Sequence, residues 1–386
     1  MSLLQRFGVL LLLCAGGSAQ GLVIDHTCTD PGLIPAELFP TIRADRHLVY
    51  NHTSHGSQLV SGMEALRAFP DFAGRYDFSW SGSATELELR DGGIPGVPDL
   101  SQGDWLDGNG VTPWVTSTRA YLDDPANLHI NTVLWSWCSI NGHDIPRYLE
   151  NMEILVAEFG PGGSRPRAAT HPVSFVFMTG HAEGQPMDGF IHLANEQIRA
   201  HCLAYQRVLY DFADIEAYDP DGVFYLDRPM WDNLDYGSGA EAGNWAVEWI
   251  TANPQHELSR LTTGADVPGY SGCPGCAHSD SPALAELNCI LKGRAVWWLL
   301  ARLSGWDPAT PPQATIQLDG TEVLIDWSGL RTGADYTVEH STDGRSWGLL
   351  TTFQATAATA QTRQPVDPVG LGLFRLRAVE SAGGVN

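Results

Sequence analysis

Arg46-His47-Leu48-Val49-Tyr50, Asn51-His52-Thr53-Ser54-His55-Gly56-Ser57 and Leu59-Val60-Ser61-Gly62-Met63-Glu64-Ala65-Leu66 follow one another as strand, polar loop and helix. The first segment is a compact run suited to a buried strand, and the last carries apolar residues at helical spacing. The same rhythm returns downstream. Thr132-Val133-Leu134-Trp135-Ser136-Trp137 is strand-like, and Ile145 to Phe159 reads as an amphipathic helix with Pro146 near its start. Val173 to Met178 is a strand, Ile191 to Tyr205 a helix and Arg207 to Phe212 a strand again. Leu287 to Leu303 forms a closing helix containing Trp297 and Trp298. Strands separated by helices predict an α/β fold of three layers, a parallel sheet covered on both faces. Ligand sites in such sheets lie beyond the C-terminal strand ends. Chemistry is therefore sought in the loops after Tyr50, Trp137, Met178 and Phe212.

This α/β pattern spans residues 21–307. Residues 308–314, with Pro311 and Pro312, read as a linker, and 315–386 as all-β. Thr315 to Leu318, Glu322 to Trp327, Tyr336 to His340 and Leu373 to Val379 are strand-like, with turn dipeptides at Asp319-Gly320 and Asp343-Gly344. Tyr336-Thr337-Val338-Glu339-His340-Ser341-Thr342-Asp343-Gly344-Arg345-Ser346-Trp347, followed by Phe374-Arg375-Leu376-Arg377-Ala378, resembles a fibronectin type III module. That resemblance implies a small β-sandwich.

Of the 386 residues, 43% are hydrophobic and 13 are Trp, enough for packed cores. Acidic residues outnumber basic ones by 45 to 22, a net charge of −23. That argues against nucleic acid, whose phosphates need Lys and Arg to displace counterions, and against anionic membranes. At the N-terminus Arg6, the apolar run Val9 to Cys14 and the small residues Gly17, Ser18 and Ala19 read as a signal peptide over 1–19. The run is too short to span a bilayer, so a secreted or periplasmic protein with no membrane span is expected. Cys14 also suggests a lipoprotein, but Leu13 precedes it where a small residue is wanted. The six later cysteines, Cys28, Cys138, Cys202, Cys273, Cys276 and Cys289, fit disulfides in an exported chain, with pairing open. Cys273-Pro274-Gly275-Cys276 has a CxxC spacing, but no second CxxC exists to complete a zinc site. A disulfide pinning this loop, with Cys289 as a partner, is the better expectation.

Four segments carry candidate chemistry. Ser54 lies between a strand and a helix, where backbone N–H groups favour developing negative charge. Its plainer role, shared with Ser57, is a helix cap. Asp91-Gly92-Gly93-Ile94-Pro95-Gly96 lets a backbone N–H approach a substrate oxygen closely. In Trp135-Ser136-Trp137-Cys138-Ser139-Ile140-Asn141-Gly142, the Asn141 amide is a candidate oxyanion donor, or a plain turn residue. His278 precedes the last helix, and imidazole is the usual general base for a Ser nucleophile.

Taken in order, these segments resemble the SGNH/GDSL hydrolases: a nucleophile after the first strand, Gly in a second block, Asn after a middle strand and His before the last helix. The resemblance covers residues 45–305 and implies an ester hydrolase without a cofactor. Ser54 attacks an acyl ester and His278 takes its proton. The Ser54 and Gly96 backbone N–H groups and Asn141 hold the oxyanion. His52, His55, Trp137 and His181 are expected to line the pocket. The resemblance extends to acylated polysaccharide as a substrate. Three departures stand out. His52-Thr53-Ser54 replaces Gly-Asp-Ser, no Gly-x-Asn-Asp frames Asn141, and Gly275 stands where an Asp would precede His278. Asp266 and Asp280 are the nearby acids.

Other readings compete. His52, His55, His143, His181, Asp144 and Glu183 are candidate ligands for a metal-dependent hydrolase. Asp219-Pro220-Asp221-Gly222 suits a turn or a cation loop, though without EF-hand spacing. Trp105, Trp114, Trp231, Trp245 and Trp249 suit a non-catalytic carbohydrate-binding protein. A glycoside hydrolase with paired carboxylates is permitted by the acidic excess, but no spacing supports it.

Overall fold

The structure is a computed structural model. It describes residues 21–308 except Pro274, and the segments 313–319, 322–328, 335–341, 348–356, 359–365 and 373–379. The expected signal peptide, the linker prolines, Gly320 and Asp343-Gly344 lie outside the described residues. Two compact units are present. One takes in the chain up to Pro31 and Glu37–Ser304, the other Gly32–Ala36 and everything from Gly305 on.

The first unit is built on a seven-stranded sheet. Its strands are β1 (Val23–Ile24), β2 (His47–Asn51), β3 (Phe78–Ser79), β4 (Leu87–Asp91), β5 (Thr132–Trp135), β6 (Ser174–Met178) and β7 (Val208–Tyr210). They pair in the order β1-β7-β6-β5-β2-β4-β3, and every pairing is parallel. The order reverses direction at β2, with β4 on one side and β5 on the other. A crevice opens at such a switch point, beyond the strand C-termini.

The helices are α1 (Phe39–Asp45), α2 (Ser57–Ala68), α3 (Pro113–Asp123), α4 (Ile145–Phe159), α5 (Phe190–Tyr205), α6 (Phe212–Ala217), α7 (Trp245–Ala252), α8 (Glu257–Thr263) and α9 (Leu287–Leu303). Strand side chains alternate between faces, so each strand serves two layers. Val49, Val133, Trp135, Phe175, Phe177 and Leu209 pack in one core with α3, α4 and α5. Tyr210 points the other way, and its hydroxyl donates to the Lys292 carbonyl of α9 at 2.7 Å. Both faces are covered, which is why the strands read as nearly continuous apolar runs. Among the described residues no helix is long and apolar enough to cross a membrane.

Helices α2 and α9 set the geometry of the functional end, because α2 follows the Ser54 loop and α9 follows His278. They meet through two glycines. A Cβ on Gly62 would stand 1.8 Å from the Cys289 carbonyl oxygen, and one on Gly293 would stand 2.3 Å from the Gly62 carbonyl carbon. Only residues without a side chain permit backbones this close. Gly293→Ala should force the helices apart and destabilise the protein by about 1–3 kcal/mol or more. A urea denaturation midpoint that does not move would contradict this packing.

The second unit has strands β10 (Gln313–Asp319), β11 (Glu322–Ser328), β12 (Asp335–Ser341), β13 (Gly348–Gln354), β14 (Thr359–Pro365) and β15 (Leu373–Val379), numbered after the short hairpin β8 (Asp235–Tyr236) and β9 (Gly243–Asn244) of the first unit. They form two antiparallel three-stranded sheets, β10-β11-β14 and β13-β12-β15. Ile325, Trp327, Tyr336, Val338 and Ala355 make its small core. Strands β13 and β14 are additions to the sequence reading. Their Thr- and Gln-rich stretches lack a clear apolar alternation.

Candidate active site

Strand β2 ends at Asn51, and the chain turns through a short 3-10 segment, Ser54–Gly56, into α2. Ser54 sits there at φ +41°. A non-glycine residue in the left-handed region costs about 1–3 kcal/mol and persists only where its surroundings impose it. The surroundings are visible. The buried Asn51 side chain accepts from the Ile94 N–H at 2.8 Å and donates to the Ile94 and Val97 carbonyls at 2.7 and 3.2 Å. Thr53 Oγ1 donates to the Asp99 carboxylate. The turn is thus tied to the loop holding Gly96, which stands at φ +106°. Gly56 is required as well, since a Cβ there would strike Ser136 Oγ and the Tyr50 hydroxyl.

His278 reaches this turn from the other side. Its Nε2 is in hydrogen-bond contact with Ser54 Oγ. A disulfide between Cys276 and Cys289 fastens its loop to α9. The loop is also held from below. Gln58 of α2 donates to the Ala277 carbonyl at 2.6 Å and to Ser279 Oγ at 3.2 Å, and Asn288 of α9 donates to Ser279 Oγ at 3.0 Å. Beneath these lies Lys292, fully buried, its Nζ donating to Gln58 Oε1 at 2.5 Å and Glu216 Oε2 at 2.7 Å. Burial brings the Lys292 ammonium down to about 8, against the pull of Glu216.

The carboxylate that faces His278 belongs to Asp232. Its Oδ2 lies 3.8 Å from His278 Nδ1, longer than a hydrogen bond but within ion-pair reach, and accepts from His55 Nε2 at 2.8 Å. The His55 ring is stacked between His278, at 3.9 Å, and His181, at 3.5 Å. Burial pushes the His55 imidazole down to about 4, against its hydrogen bond to Asp232, with the two neighbouring rings adding to the fall. The ring is therefore neutral, its proton on Nε2. Burial raises the Asp232 carboxyl, but the His55 hydrogen bond and the surrounding imidazoles outweigh it and leave the group below the usual range.

The other expected site residues fall in different places. Asn141 donates its amide to Glu183 at 3.3 Å, a carboxylate also held by Ser139. The Asn141 amide is thus engaged by a carboxylate. His52 pairs with Asp91 at 2.6 Å. Trp137 is only 3% exposed and donates to the Met178 carbonyl at 3.2 Å, which makes it a core residue and not a pocket wall. Of the expected pocket residues, His55 stands beside His278, and His181 lies on the other face of His55.

The wider metal set is not gathered either: besides His52, His143 pairs with Asp104 at 3.1 Å, and Asp144 caps α4. Three donor atoms do converge, on His55, Asp232 and His278, all within 4.8 Å of one another. The two rings are 10° from parallel, so their lone pairs run side by side. Holding one ion between them requires His278 to turn. Asp219 accepts from the Asp221 and Val223 N–H groups and from Tyr225, which makes that acidic stretch a bonded turn. Cys28, Cys138, Cys202 and Cys273 are free thiols, so the six cysteines form one bridge and not a framework.

The chain matches no known family model and no curated protein sequence. The geometry alone carries the argument. It holds a serine in an imposed backbone conformation, an imidazole on its hydroxyl, and a carboxylate and a neutral imidazole behind that.

Proposed function

We propose that this protein is a serine esterase of the SGNH/GDSL kind, acting by acyl transfer through Ser54 and His278. The observation that carries the reading is the contact between Ser54 Oγ and His278 Nε2 at the switch point of the sheet. Ser54 Oγ attacks the ester carbonyl while His278 Nε2 takes its proton, and the imidazolium forms facing the Asp232 carboxylate. The backbone N–H groups of Ser54 and Gly96 hold the oxyanion. The tetrahedral intermediate collapses, and His278 returns the proton to the departing alcohol. Water, activated by the same imidazole, then frees the acyl group. Asp232 takes the place of Asp266 and Asp280 as the orienting acid, with His55 bonded to the same Oδ2 oxygen.

The strand order around β2, flavodoxin-like in sequence, and the position of His278 just before α9 support the family reading. The Cys276–Cys289 bridge supports export. Two small antiparallel sheets around one core support a fibronectin type III-like tail. The export and that tail point to acyl esters on carbohydrate.

Convergence of His55, Asp232 and His278 favours one rival, a metal-dependent hydrolase. Hydrolysis of 4-nitrophenyl acetate with and without EDTA separates the two. The serine mechanism predicts turnover that survives prolonged chelation. Activity that is abolished by EDTA and restored by zinc would overturn it.

A further inference from the structure

We propose that Trp231 is a stacking platform for a sugar ring beside Ser54 and His278, so that the scissile ester is borne by a neutral carbohydrate. For its chemistry this rests on the esterase reading; for binding it stands by itself. Trp231, Asp232, Asn233, Asp235 and His278 line one open depression of about 340 Å³. The catalytic imidazole and the indole therefore face the same solvent space. Trp231 is 54% exposed, in contrast to Trp114, Trp245 and Trp249, which are core residues.

The indole is held in position. A Cβ on Gly184 would come within 2.3 Å of it, so the ring lies against a backbone that must be glycine. The Trp231 backbone bridges Glu183 in antiparallel fashion, and its main-chain N–H donates to the Asp235 carbonyl at 2.8 Å. Pre-set aromatic surface of this kind loses little entropy on binding.

The remaining lining chooses the ligand. An aromatic acyl group calls for apolar walls all round, whereas the neighbours of Trp231 here are carboxylates, an amide and an imidazole. Asp235 accepts from Asn233 at 2.8 Å and from Asn244 at 2.9 Å, one bond on each oxygen. Each oxygen keeps a second lone pair for a hydroxyl. A pyranose offers what this surface lacks: a C–H face for the indole and hydroxyl donors for the carboxylates. Two carboxylates in the depression disfavour uronic acids.

The test compares acetylated xylotriose with 4-nitrophenyl acetate in the wild type, Trp231→Ala and Trp231→Phe. The ratio of kcat/KM for the sugar ester over the aryl ester should fall roughly tenfold in the alanine variant, chiefly through KM, and recover in part with phenylalanine. A ratio that stays constant would overturn the platform. Calorimetry of the Ser54→Ala form with xylotriose, mannotriose and chitotriose reads binding without turnover. Binding of any of them that disappears on adding Trp231→Ala sustains the proposal even if neither ester is cleaved, which would sink only the esterase reading. Binding of none of the three, or tighter binding of a glucuronate-bearing xylotriose, overturns it.

Discussion

Ser54→Ala and His278→Ala should each lower kcat for 4-nitrophenyl acetate by about 10³–10⁶-fold, and the double variant by no more than the more damaging single one. Residues that act as a unit are non-additive, because the proton has no destination without the imidazole and no source without the hydroxyl. The single contact between Ser54 Oγ and His278 Nε2 makes these two such a unit. What survives reflects the oxyanion donors, whose individual removal costs about 10²–10³ in kcat. Stopped-flow or steady-state release of nitrophenolate, with circular dichroism to confirm folding, measures it. Losses that multiply in the double variant would mean that the two side chains serve separate steps.

The second large effect concerns stability. Lys292→Met removes the cation bonded to Glu216, whose carboxylate is fully buried. Breaking a buried pair by deleting one partner costs about 3–5 kcal/mol, since the remaining charge has no compensation. Adding Glu216→Gln should restore most of that loss, because it removes the uncompensated charge. Lys292 also holds Gln58, which in turn supports the His278 loop through the Ala277 carbonyl and Ser279. The single variant should therefore lose activity below its melting temperature as well as stability. Denaturant titration of both variants reads this. A single variant destabilised by less than about 1 kcal/mol would show that the pair is not what holds the floor of the site.

Much of the sheet was legible from local pattern. The α4 and α9 helices run from Ile145 to Phe159 and from Leu287 to Leu303, where apolar periodicity is long and, in α4, a proline marks the first turn. Strands β2, β5 and β6 stood out as apolar runs buried on both faces. Strands β1 and β3 have two residues each, too short to show a period, and β4 is interrupted by Glu88 and Arg90. Those two charges pair with each other and with His47, His129 and Asn127, contacts that no local pattern encodes.

The site divides the same way. Ser54 and His278 sit at element boundaries, where the strand–loop–helix rhythm points. Asp232 lies in an irregular stretch far from both in sequence, and only the folded chain brings it to His278. Asn141 follows a strand, as an oxyanion donor would, but its neighbour Gly142 at φ +78° and the Glu183 carboxylate give it a turn role. Trp137 follows β5 closely enough to be carried into the core between Tyr148 and Met178. Positions near strand ends can thus be found from pattern, whereas the direction of each side chain depends on its partners.

The most direct test of the account is covalent. The protein should be treated with a fluorophosphonate, whose phosphorus reacts only with a hydroxyl activated by a neighbouring base, and the adduct mapped by peptide mass spectrometry. The account predicts one adduct per chain, on Ser54, absent from His278→Ala and unaffected by EDTA. An unlabelled protein, or an adduct on another residue, would contradict it.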